Sequence, residues 1–199
     1  MSRTRPRWNK ACVGERTIVI VTGPPASGKS SLARGLAGEL EMPFLSKDEF
    51  KERLYEVFGS GDAVERQIEQ AADSILFSVA QSNLSAGVDI LLESNFDTRS
   101  DRKPLLELDG RIVQVHCGGD ADMLVEQFAE RSASGKRHPG HEDHPSDADE
   151  VRRKLEAGHW DPLDLPGELI RLDLTSNEAD VAPIAEHVGR MTKRSSAPL

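Results

Sequence analysis

The sequence predicts an α/β fold, in which a mostly parallel five-stranded sheet is covered by helices on both faces. Five short apolar segments alternate with stretches of helical periodicity along the chain, and this alternation is typical of sheets built from strand-helix-strand units. At 199 residues, the chain is long enough for one such domain with a single sizeable core.

The predicted strands are short runs of apolar residues. In chain order they are "TIVIV", "PFL" from residue 43, "VDILL" from 88, "RIVQVHC" from 111 and "LIRLDL" from 169. The strongest helical pattern spans residues 62–86, where apolar residues recur at three- and four-residue spacing. That face is expected to pack in the core, and its members are Ile68, Ala72, Ile75, Leu76 and Val79.

The predicted domain covers residues 17–191. A basic segment, residues 1–16, and a tail, residues 192–199, lack apolar periodicity and are expected to be flexible. Within the domain, residues 132–150 form a long, polar, turn-rich stretch that we predict to be a lid.

Composition narrows the possible partners. The formal net charge is −9, which argues against nucleic acid or an anionic membrane as the partner. The sequence contains neither a leader pattern nor an apolar run of membrane-spanning length, so we expect a soluble cytoplasmic protein. Cys12 and Cys117 lack a C-x-x-C spacing, which favours neither a disulfide nor a zinc site. The sequence does not indicate an oligomeric state.

A glycine-rich loop follows the first predicted strand. It fits G-x-x-x-x-G-K-[ST], and a predicted helix runs from about Lys29 to Leu40. Such glycines let backbone N–H groups converge on phosphate oxygens at the positive end of a helix, while the lysine reaches the β- and γ-phosphates. We therefore expect the three-layer sandwich of a P-loop NTPase. Its predicted ATP-binding residues are Gly23, Pro24, Pro25, Ala26, Ser27, Gly28, Lys29, Ser30 and Ser31.

Asp48 follows the second predicted strand, at the sheet edge where ligands of open α/β folds bind. We predict that it is the general base for a substrate hydroxyl, with Lys29 as a further catalytic residue. Ser46 and Glu49 have the spacing of a capping box, so an acidic residue here could instead only complement the helix dipole. The cap leaves Asp48 without a structural role, which favours the catalytic interpretation.

The third predicted strand ends in "LLESNFDTR". Glu93 could hold a water on Mg²⁺, whose protein ligand is expected to be the Ser30 hydroxyl. Alternatively, Glu93 only caps the loop or pairs with a basic side chain. The residues predicted from this pattern to contact the acceptor are Asp48, Asn95 and Arg99.

Basic side chains gather in the predicted lid. Cations on a closing lid can neutralise a transferring γ-phosphate and exclude water. We therefore predict that the basic group of Arg131, Lys136, Arg137 and His138 acts on the nucleotide, with Arg137 as a catalytic member. A solvated basic turn is the alternative. Three lid histidines follow at three-residue steps, but prolines and a glycine interrupt them, so a metal site is not expected. They are His138, His141 and His144.

With the P-loop, Asp48, Glu93 and the cationic lid in this order, the chain resembles the small P-loop kinases of the AAA_33, chloramphenicol phosphotransferase and zeta-toxin grouping. It is also similar to the kinase domain of polynucleotide kinases. The likeness covers roughly residues 17–190. It implies that Asp48 activates an acceptor hydroxyl, that Arg131 and Arg137 contact ATP phosphates, and that the acceptor is a small molecule such as an antibiotic, sugar or nucleoside. Lys51 stands where polynucleotide kinases tend to carry an arginine near the acceptor phosphate, so the resemblance implies that Lys51 is a further acceptor contact. A lysine at this position departs from that pattern, which weakens the interpretation as a nucleic-acid kinase.

Two other functions are compatible with the loop. Zeta-like toxins use the same framework to phosphorylate a nucleotide sugar, which is also a phosphoryl transfer. A protein that hydrolyses or senses ATP without an acceptor belongs to another class. A GTPase switch is not indicated, because the sequence has no [NT]-K-x-D motif.

Overall fold

Five strands form one sheet in the computed structural model, which describes residues 16–135, 137–141, 143–174 and 180–194. The strands are β1 (Thr17–Thr22), β2 (Phe44–Ser46), β3 (Ile90–Glu93), β4 (Arg111–Gly118) and β5 (Glu168–Asp173). Their order is β2-β3-β1-β4-β5, and each neighbouring pair is parallel. The predicted α/β class and its parallel sheet are confirmed.

Seven α-helices connect and flank these strands in the described ranges. They are α1 (Lys29–Glu39), α2 (Lys47–Phe58), α3 (Asp62–Ser85), α4 (Arg102–Leu106), α5 (Ala121–Ala133), α6 (Ala148–Glu156) and α7 (Val181–Arg194). Two short 3-10 helices, Pro139–His141 and Pro145–Asp147, lie between α5 and α6. The predicted lid therefore contains some regular structure, and α7 continues beyond residue 191.

The sheet separates two apolar clusters. Side chains alternate along a strand, so Ile18 and Ile20 of β1 pack in a cluster with α3. Val19 and Val21 point the other way and pack in a cluster with α1 and α7. This arrangement confirms the predicted three layers.

The predicted helix over residues 62–86 is confirmed as α3, but its buried face differs from the prediction. Ile68, Ala72 and Leu76 are buried as expected, and the stripe continues through Ala80 and Leu84. Ile75 and Val79, which the spacing also assigned to the core, are only half-buried. Every fourth residue of the helix contacts the sheet. Ile75 and Val79 lie three positions after buried residues of this series, so their side chains lie at the margin of the helix-sheet contact.

The register brings the carboxyl ends of three strands to one edge of the sheet. Glu93 at the end of β3 is paired with Val21 of β1 and with Ser46 of β2. Segments that leave these strands therefore start side by side, at the edge where open α/β folds bind ligands. The P-loop and Asp48 both lie there.

Two further expectations concern cysteines and membranes. Burial raises the pKa of the Cys117 thiol to about 12, so this thiol is inert at neutral pH, whereas Cys12 lies outside the described residues. None of the helices in the described ranges combines the length and the apolar character needed to cross a membrane.

Candidate active site

The P-loop, residues 23–31, connects β1 to α1 through two glycines in the left-handed region. Gly28 has φ 78° and occupies the N-cap position of α1. Gly23 has φ 145°, and a Cβ there would overlap the backbone carbonyl oxygen of Cys117 at the end of β4. Only glycine fits at position 23, because the loop backbone lies directly against the neighbouring strand.

Lys29 at the start of α1 is buried and lies inside this loop. Its Nζ donates to the carbonyl oxygen of Pro24 at 3.2 Å. Burial lowers the pKa of Lys29, although the negative charges of Glu93 and Asp48 oppose that shift. The Ser27 hydroxyl, also buried, has no partner in the described part of the chain. The loop thus holds a partly compensated cation and a spare hydroxyl, which suits a ligand rich in anionic oxygens.

Glu93 at the end of β3 joins the P-loop to β2. Its Oε1 accepts a hydrogen bond from the Ser30 hydroxyl at 3.0 Å, and its Oε2 accepts one from the Ser46 hydroxyl at 2.7 Å. The residue is 2% exposed, and a buried carboxylate needs such partners. The structure therefore brings together the two predicted magnesium ligands, Ser30 and Glu93.

The capping-box alternative for the start of α2 is wrong. Ser46 is the N-cap residue, but its side chain makes no capping hydrogen bond, because the hydroxyl is bonded to Glu93. Glu49 pairs instead with Arg34 of α1 at 2.7 Å. Both residues of the supposed box therefore have other partners, and neither caps the helix.

Asp48 in the first turn of α2 is held by the lid. Nη2 of Arg137 donates to Oδ2 of Asp48 at 2.7 Å, and the Asp48 side chain retains 40% exposure. Burial opposes ionisation of this carboxyl, but the positive charges of Arg137, His141 and Lys29 outweigh it, so its pKa is lowered from the usual value. Asp48 is therefore ionised at neutral pH.

Arg131 and Arg137, the two predicted nucleotide-binding cations, meet at one carboxylate. Arg131 donates from Nη2 to Oδ2 of Asp143 at 3.3 Å, and Arg137 donates from Nη1 to the same oxygen. Burial and the charge of Arg137 together lower the pKa of Arg131. The structure thus places both arginines within one group with Asp48, whereas Lys136 lies outside the described residues.

Lys51, a predicted acceptor contact, forms ion pairs between α2 and α3. Its Nζ lies 3.3 Å from Oε1 of Glu65 and also bonds to Glu69. One turn earlier, Lys47 pairs with Glu69 and with Asp73, each at 2.8 Å. The positive charge of Lys51 also contributes to lowering the pKa of Asp48.

Asn95 and Arg99, the other predicted acceptor contacts, lie on the loop after β3. The Asn95 Oδ1 is buried without a partner in the described ranges, and Arg99 is exposed. Asp97 between them contacts Nδ1 of His159 at 2.7 Å through Oδ2, and the hydroxyl of Thr98 donates to the Gly158 carbonyl at 3.1 Å. The loop is therefore anchored to the segment after α6, with an unpaired amide oxygen at its start.

The lid packs against α2 through a glycine. A Cβ at Gly140 would overlap the ring of Tyr55, and the His138 ring stacks on that same ring with centroids 6.1 Å apart. His141 contacts Glu52 of α2 through Nε2 at 3.2 Å. Within the described residues, no three His, Cys, Asp or Glu side chains gather as a metal site would require. His138 and His141 both contact α2, so they contribute to the packing of the predicted lid against this helix.

Sequence reasoning missed two residues of this arrangement. Asp143 stands in a polar run where no pattern separates it from neighbouring acids. Ser46 was assigned to a helix cap. An acidic residue six positions after Arg137 on the same turn-rich segment is the signal that could have pointed to Asp143.

The AAA_33 family of AAA domains matches residues 18–156. The chain is 32% identical over 132 residues to CD-NTase-associated protein 6 of Pseudomonas aeruginosa, covering 64% of this chain and 42% of that protein. It is 44% identical over 105 residues to cytidylate kinase of Ignicoccus hospitalis, covering 52% of this chain and 49% of that protein. The chain thus spans less than half the length of these curated relatives.

Solved structures agree with this relationship. A protein of Chloroflexus aurantiacus, provisionally described as a kinase, superposes with a TM-score of 0.79 at 33% identity, over 90% of this chain and 98% of that one. A sugar kinase of Janibacter sp. HTCC2649 has a TM-score of 0.57 at 18% identity, with 92% and 96% covered. A shikimate kinase of Bacteroides thetaiotaomicron has a TM-score of 0.55 at 16% identity, with 89% and 98% covered. The last two show the shared fold alone.

By fold and by sequence relationship the chain therefore has the fold of the P-loop kinases. It belongs to the AAA_33 family.

Proposed function

We propose that this protein transfers the γ-phosphate of ATP to a hydroxyl group of a small molecule, with Asp48 as the base. The observation that supports it most directly is an ionised, partly exposed carboxylate at the sheet edge beside the P-loop, bonded to a lid arginine. A module that only binds ATP does not need an acidic residue in that position, and an acceptor screen separates transfer from hydrolysis.

The residues beside the P-loop fit ATP and Mg²⁺. Gly23 and Gly28 give the loop its left-handed turns, Lys29 supplies a buried cation, and the Ser27 hydroxyl has no partner in the described residues. Mg²⁺ prefers oxygen ligands and retains several waters. The Ser30 hydroxyl would bind the ion directly, and the Glu93 carboxylate would hold one of its waters. The ion would supply positive charge that offsets the charge of the transferring phosphate.

Asp48 is suited to orient the acceptor. Arg137 occupies its Oδ2, and Oδ1 has no hydrogen-bond partner in the described part of the chain, so Oδ1 is available for the acceptor hydroxyl. The oxygen of the acceptor hydroxyl then forms a bond to the γ-phosphorus, while the bond from that phosphorus to the β,γ-bridging oxygen breaks. ADP leaves, and Asp48 takes the hydroxyl proton. Phosphoryl transfer relies mainly on position and charge, so a carboxylate with a lowered pKa is adequate.

The charge of the chain and its relatives support a small-molecule acceptor. The chain carries net negative charge, which disfavours a polyanionic substrate. Kinases named for a sugar and for shikimate share its fold, and the relative named cytidylate kinase is 44% identical over 105 residues. We therefore propose a hydroxylated metabolite, antibiotic or nucleoside, with the Asn95 amide and the Arg99 guanidinium as contacts. A nucleotide sugar or a polynucleotide 5'-hydroxyl is the alternative acceptor.

The test is an acceptor screen with ADP release and product mass as readouts. The panel should contain sugars, nucleosides, CMP, aminoglycosides and chloramphenicol, with a blank that contains ATP and Mg²⁺ only. We expect one class to stimulate ADP release and to gain the mass of one phosphoryl group. ADP release that no compound changes would instead favour the ATP-hydrolysing or ATP-sensing function.

Asp48→Asn with the active acceptor then tests the base. We expect turnover to fall by about 10²- to 10⁴-fold, the usual contribution of a general base, while ATP affinity stays nearly constant. The matched control is Glu49→Gln, which removes the neighbouring carboxylate of an exposed ion pair. Wild-type turnover in Asp48→Asn would exclude Asp48 as the base.

A further inference from the structure

We propose that Asp143 is a positioning residue, which holds Arg131 and Arg137 together so that both act on the γ-phosphate. This inference rests on the proposed ATP-dependent function. Both guanidinium groups donate to one oxygen of Asp143, and Arg137 uses its other terminal nitrogen for Asp48. One carboxylate thus connects the last turn of α5, the lid and the start of α2.

The shared contact with Asp143 offsets the repulsion between the two arginines. Two guanidinium groups repel one another, and the charge of Arg137 lowers the pKa of Arg131. The Nε of Arg131 is buried without a partner in the described residues, and its guanidinium otherwise lies over the ring of Phe128, at 5.7 Å from the centroid. A carboxylate that both groups share lowers the cost of bringing the two charges together.

The backbone around Asp143 is held on both sides. Before it, the 3-10 helix Pro139–His141 packs on α2, where Gly140 lies against Tyr55. After it, His144 accepts a hydrogen bond from the backbone N–H of Ser146, and Asp147 accepts one from the backbone N–H of His144. Asp143 therefore lies between two anchored turns, which limits how far its carboxylate can move.

Two roles for this carboxylate make opposite predictions. If Asp143 positions the arginines, its loss weakens binding of a triphosphate more than binding of a diphosphate, because both arginines act on the γ-phosphate. If Asp143 instead competes with phosphate for the arginines, its loss strengthens triphosphate binding. The geometry favours positioning, because Arg137 contacts Asp143 and Asp48 with separate nitrogens, and each of these nitrogens has a second N–H that can donate to phosphate.

The experiment compares calorimetric affinities for AMP-PNP and for ADP, each with Mg²⁺, in wild type, Asp143→Asn and Asp143→Glu. We expect Asp143→Asn to lose about tenfold in AMP-PNP affinity, the order expected for one charge-assisted hydrogen bond, with ADP affinity nearly unchanged. Asp143→Glu should regain part of that loss. The matched control is Asp122→Asn, which breaks the exposed ion pair with Arg152 between α5 and α6 and should leave both affinities unchanged.

A double-mutant cycle then tests whether Asp143 acts through the arginines. In an Arg131→Met, Arg137→Met background, Asp143→Asn should cause no further loss of AMP-PNP affinity. A further tenfold loss there, tighter AMP-PNP binding in the single variant, or equal losses for both nucleotides would overturn the proposal. Wild type that binds neither nucleotide would refute the proposed function and this inference with it, whereas normal wild-type discrimination with an unaffected Asp143→Asn refutes the inference alone.

Discussion

Arg137 of the lid donates to Asp48 at the start of α2 at 2.7 Å, across 89 positions of the sequence. The contact holds the proposed base and one proposed phosphate-binding cation in a single ion pair. Burial alone would raise the pKa of Asp48, so its lowered pKa depends on the positive charges around it, and Arg137 makes the largest such contribution.

This dependence predicts the pH behaviour of catalysis. The pKa of Asp48 is lowered, so we expect kcat/KM for the acceptor, at saturating ATP, to stay constant down to about pH 4, the ordinary range for a carboxyl group, and to fall only below it. In Arg137→Gln, burial is less well compensated, the Asp48 pKa rises, and the acid limb moves to higher pH. Arg152→Gln is the control, because its exposed ion pair with Asp122 joins α6 to α5 and does not involve Asp48. An acid limb that stays at the same pH in Arg137→Gln would contradict this account.

Ser46→Ala should affect stability and magnesium use together. The hydroxyl donates to the buried Glu93 at 2.7 Å, and losing a hydrogen bond to a charged group costs about 1.5–3 kcal/mol in the free energy of unfolding. Glu93 would then be held by Ser30 alone, so the concentration of Mg²⁺ needed for half-maximal activity should rise. Urea denaturation and a Mg²⁺ titration measure the two effects. Ser85→Ala, which removes an exposed contact with Gln81, should change neither.

Gly140→Ala should disturb the lid. The added Cβ would overlap the ring of Tyr55, so the 3-10 helix must move away from α2, and the contact between Arg137 and Asp48 should loosen with it. We expect turnover to fall by about tenfold or more, since small displacements of catalytic groups are costly. Gly38→Ala is the control, because a Cβ there meets open space within α1. Full activity in Gly140→Ala would show that the lid contact does not affect turnover.

Lys29→Met should separate binding from stability. The buried ammonium has a lowered pKa because of desolvation, which means that the folded state disfavours the protonated form that is present at neutral pH. Removing the charge should therefore leave the free energy of unfolding unchanged or raise it by about 1 kcal/mol, while nucleotide affinity is lost. Calorimetric ATP binding and urea denaturation check both parts. A large loss of stability would mean that Glu93 and Asp48 compensate the lysine more fully than its pKa indicates.

Local patterns predicted most of the fold. Each of the five apolar runs contains or overlaps an observed strand, and the spacing over residues 62–86 predicted α3 almost to its ends. These features depend on residues close in sequence, where periodicity and loop composition are informative. The buried stripe of α3 was less predictable. Where the helix packs on the sheet, Ala80 and Leu84 are buried, whereas Ile75 and Val79 are only half-buried.

Side-chain partners in the site were harder to predict. The spacing of Ser46 and Glu49 fits a capping box, yet in the structure Ser46 donates to Glu93 and Glu49 pairs with Arg34. Lys51, predicted to contact the acceptor, also pairs with two glutamates of α3, and its contact with the acceptor stays a prediction. Such partners come from other elements, so local spacing contains no information about them.

The sequence by itself determined the elements and the phosphate-binding loop of this protein, because strand and helix periodicity and the G-x-x-x-x-G-K-S pattern are local properties of the chain. Only the tertiary structure decided that Glu93 joins Ser30 to Ser46 and that Arg137 reaches Asp48. Those contacts arise because parallel strands end at one edge of the sheet and the lid packs on α2. Residues far apart in sequence then compete for the same charged partners, and their burial decides which pairs form.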